Sequence, residues 1–97
     1  MVKHVLFVKL KDNSPEQCQK LKDLFLTMKD EIDFVRDVQV GIDFLHSERS
    51  YDVVLELVVD DREALDAYQA HPYHANVVKE YVLSVKEGTN HVVDYEF

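Results

Sequence analysis

The sequence predicts an α+β fold: one antiparallel sheet of four strands with helices on one face, in the order β-α-β-β-α-β. Three observations carry this. Four stretches alternate in polarity or are apolar on both faces, as strands are; two stretches repeat apolar residues every three or four positions, as helices do. A short polar link, His46 to Ser50, joins the two middle strands as a hairpin would.

The first strand is residues 2–10. Val2, His4, Leu6, Val8 and Leu10 share one parity, and Lys3, Val5, Phe7 and Lys9 the other. Its middle is apolar on both sides, so both faces need cover. Ser14, Pro15 and Gln17 then form a capping box that opens a helix. Cys18, Leu21, Phe25, Met28 and Ile32 make one apolar stripe along it, with Leu24 beside them. Cys18 is expected as a small core residue. The helix should fade over 29–33, where Lys29, Asp30, Glu31 and Asp33 crowd together.

Residues 35–45 place Val38, Val40, Ile42 and Phe44 on one side of a second strand, with Gly41 marking a bulge. The third strand, 51–59, is again two-sided: Val53, Leu55, Leu57 and Val59 oppose Val54 and Val58. Asp60 precedes Glu63 at capping-box spacing, so a short helix starts there and runs to about Ala70. Pro72 has no backbone N–H and disfavours helical geometry at His71. It suits the first position of a new helix, which makes His71 the N-cap. Ala75, Val78, Val82 and Val85 are the stripe of that helix, and Gly88 its stop. Residues 90–97 are the last strand. The second helical unit is thus broken at Pro72, within a ferredoxin-like, split-βαβ order.

With 97 residues the chain is one domain, 1–97. At 46% hydrophobic and 31% charged it has a globular composition. The net charge of -8, from 19 acidic and 11 basic residues, argues against nucleic acid and anionic membrane surfaces as partners. No apolar run reaches the ~20 residues of a spanning helix. The N-terminus enters a strand pattern at once, without a signal-peptide core, and one cysteine makes no internal disulfide. A cytoplasmic location is the expectation. The helix-free sheet face, with Val5, Phe7, Val54 and Val58, is apolar and calls for a partner; a homodimer is the commonest one.

The chemistry concentrates between Asp66 and His74, where two tyrosines and two histidines surround Pro72. Tyr68 falls in the last turn of one helix and His74 in the first turn of the next. A phenol and an imidazole at one bend suit acid–base work: the imidazole moves a proton and the phenol hydrogen-bonds an oxygen. The same residue types also serve as half-buried side chains with one satisfied hydrogen bond. His71-x-x-His74 has ligand-like spacing, but Pro72 intervenes and no Cys or carboxylate cluster accompanies it. Neither a metal nor a cofactor is expected. His46 and His91 look like surface or strand-end residues.

Four segments together carry a resemblance: Val2-Lys3-His4-Val5 with Lys9-Leu10-Lys11-Asp12; Tyr51-Asp52-Val53-Val54; Tyr68-Gln69-Ala70-His71-Pro72-Tyr73-His74; and Val93-Asp94-Tyr95. Over essentially its whole length the chain resembles the stress-responsive A/B barrel (Dabb) domain family. The resemblance implies a dimeric α/β barrel, two ferredoxin-like sheets back to back, with a small-molecule pocket between each sheet and its helices. Most members have no assigned reaction. One plant branch, similar at the Tyr-x-x-His-Pro-x-His run, is a polyketide cyclase, and there residues matching Tyr68 and His74 carry an aldol-type ring closure without cofactor. His4 and His71 match other pocket positions, and Leu6 and Val8 share the strand face of His4. The expected occupant is a small apolar ligand. A monooxygenase of the dimeric-barrel fold is the alternative from fold analogy.

Overall fold

The computed structural model describes residues 1–97. Its strands are β1 (Val2–Val8), β2 (Asp37–Ile42), β3 (Val53–Val59) and β4 (His91–Glu96). Helix α1 (Pro15–Glu31) follows β1, and α2 (Arg62–Ala70) follows β3. A π-helical segment, Tyr73–Val78, then runs directly into α3 (Lys79–Val85). The sheet is fully antiparallel, in the order β2-β3-β1-β4. This is the ferredoxin-like arrangement the residue pattern predicts.

Side-chain parity sets the two faces. Val2, Val8, Val53, Leu55, Leu57 and Val59 point to the helices and are buried with Leu21, Phe25, Met28 and Ile32 of the α1 stripe. Cys18 is 2% exposed and belongs to this core. Burial, with help from the charges of Asp52, Asp12 and Asp43, pushes its thiol pKa up, so it packs as a neutral thiol. On the other face, Val5, Phe7 and Val54 are half-buried without any helix above them, and Val58 is buried at 9% exposure. That face has a 330 Å³ concavity lined by Phe7, Tyr51 and Val54, with Phe44 at its edge.

Several local details differ from the sequence pattern. The capping box at α1 is half formed: Ser14 Oγ accepts from the Gln17 N–H, while Asp12 Oδ1, not Gln17, accepts from the Ser14 N–H. The cap of α2 is Asp61, whose Oδ1 accepts from the Ala64 N–H at 2.8 Å. Asp60 instead takes a two-pronged bond from Arg36, at 2.7 and 2.8 Å, because it ends β3 beside the start of β2. Gly41 makes no bulge, since the β2–β3 register runs through Gly41 and Val54 unbroken. It makes room: a Cβ there would lie 3.1 Å from Val54 Cγ1. β2 ends at Ile42, so Phe44 falls outside the strand and is 88% exposed. α3 stops at Val85, before Gly88, because Lys86 turns extended and bridges to Leu10; Gly88 takes φ 72 in the turn beyond.

Asp52 is a buried carboxylate with no role legible in the sequence. Its oxygens accept from the Leu10 N–H at 2.7 Å and from Asn13 Nδ2 at 3.2 Å, tying the end of β1 and the entry to α1 to the start of β3. Asp52→Ala leaves the Leu10 donor unpaired in the interior. Unfolding in urea should show a loss of about 2 kcal/mol; an unchanged midpoint would mean that water replaces the carboxylate.

Candidate functional site

Between β1, β4 and the last helical unit lies a cavity of about 370 Å³. Leu6, Phe25, Val78, Val82 and Val92 supply most of its apolar wall, and His4, Tyr68, Gln69 and His74 its polar side. Each polar residue is held there by a local cause. His4 takes the helix-facing parity of β1. The β1–β4 register sets Asp94 directly opposite it, and His4 Nδ1 meets Asp94 Oδ1 at 2.5 Å. An ionised carboxylate only accepts, so Nδ1 carries the proton and the ring orientation is fixed.

The bend forms as the proline predicts. The His71 N–H closes α2 on the Tyr68 carbonyl. His71 Nδ1 then accepts from the Tyr73 N–H at 3.1 Å, capping the restart. The π segment begins at once, at Tyr73, and at its end the Lys79 N–H reaches back to the His74 carbonyl. In a regular α-helix, side chains five apart would diverge by about 140°; the wider turn brings Lys79 onto the face of His74. Both line the cavity, as do Leu83 and Lys86 further along.

His74 Nδ1 lies 3.1 Å from the Gln69 carbonyl oxygen. A carbonyl cannot donate, so Nδ1 is the protonated nitrogen, and in the neutral ring Nε2 keeps its lone pair. The only buried side-chain nitrogen or oxygen without a partner is Asn90 Oδ1, on the same cavity wall. The Nε2 atoms of His4 and His74 have no protein partner and are not sealed in, so both are open to the cavity or to solvent. Tyr68 sits between the two histidines, its ring centroid 5.7 Å from His4 and 4.5 Å from His74. It is 1% exposed, and its hydroxyl donates to Met28 Sδ at 3.7 Å. Burial first, then the Asp94 charge, raises the Tyr68 pKa, which keeps the phenol a neutral donor.

Burial lowers the His74 pKa below the ordinary imidazole value. The Gln69 carbonyl pulls it back up, and neighbouring His4, Lys79 and His71 push it down again. The native state therefore binds this proton less readily than the unfolded chain. The stability tied to that difference is full above ~6.5, the unperturbed value, and is lost as pH falls from there through the lowered native pKa. Urea midpoints followed from pH 7.5 to 5 should fall more steeply for wild type than for His74→Gln. Parallel curves would show that folding leaves His74 unperturbed.

Of the residues singled out from sequence, the cavity brings together Tyr68, His74, His4 and Leu6. Val8 and His71 are not in its wall. Val8 is fully buried in the core, one turn of the pleat beyond Leu6, and His71 is spent on capping and an edge contact with Phe34. Sequence reasoning missed the polar wall residues Lys79, Lys86 and Asn90, and also Asp94, which is outside the wall and orients His4. The signal for Asp94 was strand order: in a split-βαβ sheet β4 lies beside β1, so an acid on β4 can face a histidine on β1. No group of three or more His, Cys, Asp or Glu side chains is placed to hold a metal ion.

The model of the stress responsive A/B barrel domain, Dabb, matches residues 2–97. The chain belongs to the Dabb family. Its fold is shared with a dimeric protein of unknown function and ferredoxin-like fold from Bacteroides fragilis, at 26% identity and a TM-score of 0.82, over 99% of this chain and 95% of that one. A protein from Arabidopsis thaliana is 27% identical with a TM-score of 0.84, over 99% and 94% of the two chains. An antibiotic biosynthesis monooxygenase has the same fold at 16% identity and a TM-score of 0.71, over 100% and 98%. At that identity only the fold is shared. Comparison with curated proteins gives no match. Within this Dabb domain no helix is long and apolar enough to cross a membrane.

Proposed function

We propose that this Dabb domain works as a homodimer and binds a small, mainly apolar molecule in the helix-side cavity, where His74 acts as a base. The observation that carries the chemistry is the Gln69 carbonyl on His74 Nδ1. It fixes the tautomer that leaves Nε2 free to accept a proton, on a ring whose burial favours the neutral form. A C–H beside a carbonyl is a suitable target. Tyr68 supplies the donor for the carbonyl oxygen. Its present acceptor, a thioether sulfur, is weak, so exchanging it for an oxygen costs little. His4, fixed by Asp94, presents a second open nitrogen to the same space. Dimerisation is supported by the apolar helix-free face, and the relative from Bacteroides fragilis is described as dimeric.

The test uses 2-heptanone in deuterium oxide, with its α-proton NMR signals followed against time. Exchange faster than in buffer alone is expected, together with amide shifts at Val78 and Val82. Binding without exchange would leave a ligand-binding domain and remove the base. An unperturbed cavity would remove the small-molecule function itself.

A further inference from the structure

We infer that the occupant of this cavity is an anion: a small carboxylate with a hydrocarbon or aromatic body, its charge held by Lys79 and Lys86. The inference rests on the small-molecule function proposed above and names the class of molecule. It starts from an imbalance. The chain has 19 acidic and 11 basic residues, so charges placed at random around a cavity would be mostly negative. Among the 13 lining residues the only Lys, Arg, Asp or Glu side chains are two lysines.

Neither lysine is neutralised. The five ion pairs of the protein involve Lys3, His4, Arg36, His46 and Arg62, and leave Lys79 and Lys86 out. Lys86 gives one hydrogen bond to the Gly88 carbonyl at 3.0 Å, which leaves two of its three donors. Asp94, on the helix side of the sheet, is engaged by His4. The π turn ends at Lys79, whose N–H reaches the His74 carbonyl, and the two side chains share the cavity wall. Lysine stems also cover apolar surface with their ammonium groups in water. That role would explain the packing of the stems but needs no anion, so the two roles are separable by experiment.

The probes are heptanoate and 1-heptanol, matched in chain length and different in charge, titrated into the full chain at pH 7.5 and low salt with amide shifts as the readout. Heptanoate should move Val78, Val82 and Val92 and saturate at about tenfold lower concentration than heptanol, the margin of one charge-assisted hydrogen bond. The Lys79→Gln, Lys86→Gln double variant should erase that margin, read as the ratio of the two probes on the same variant. Equal binding of the two probes would overturn the anion and spare the small-molecule cavity. A margin that survives the double variant would overturn the assignment to these lysines. If neither probe binds, both the inference and the function beneath it fall.

Discussion

His74→Gln is expected to lower α-hydrogen exchange to the buffer rate while the fold stands. A positioned base contributes ~10²–10⁴-fold, so the loss should be read in orders of magnitude. The stability change should stay within ~1 kcal/mol, because glutamine can still donate to the Gln69 carbonyl and only part of the ring is buried. Tyr68→Phe separates the partner's role from its packing. The ring fills the core between His4 and His74 and is kept; what is removed is one hydroxyl, bonded to a sulfur. A drop of about 10²-fold in exchange without loss of stability would show that the hydroxyl leaves Met28 for the substrate. If both variants lose stability and neither changes binding or exchange, Tyr68 and His74 are scaffold residues and no base is present.

Phe7→Asp should convert a dimer into a folded monomer. Phe7 stands half-buried on the helix-free face, in an aromatic group with Tyr51, 6.0 Å away, which in turn meets His91 at 5.5 Å. Further along β4 and at its end, Val93, Tyr95 and Phe97 are 54%, 43% and 63% exposed. Sealing a carboxylate into such a face costs several kcal/mol without a partner charge, whereas in a monomer the same carboxylate faces water. Light scattering at micromolar concentration should give about twice the 11.4 kDa chain mass for wild type and the chain mass for the variant. A monomeric wild type would refute the assembly, and a dimeric variant would place the contact elsewhere.

The elements were legible because each is written in local pattern: the five-residue stripe of α1, the two-sided strands, the proline that closes one helix and opens another. The bend at His71 followed from proline chemistry alone. What was not legible depends on register or on hydrogen-bond choice. Asp60 and Asp61 are equally good caps by composition; only the end of β3 decides that Asp60 goes to Arg36. The His4–Asp94 pair joins residues 90 apart in the chain and exists only once β1 and β4 are paired. Val8 has the same parity as His4 and Leu6, and parity does not say how far along a strand a cavity extends. The π turn leaves no mark in composition, since it changes which carbonyl an N–H reaches and not which residues are present.

That turn has a consequence for how the domain can change. A helix is a phase: each residue sets the bearing of all that follow. The π turn holds one residue more than the α ladder needs, and losing a residue there would restore regular hydrogen bonding. It would also swing Lys79, Val82, Leu83 and Lys86 by about 100° relative to His74. The helix would gain in regularity while the cavity lost its whole second wall at one stroke. Point substitutions change this site one contact at a time, but a single deletion re-addresses it entirely, so the length of this segment is bound more tightly to the site than the identity of any one residue within it.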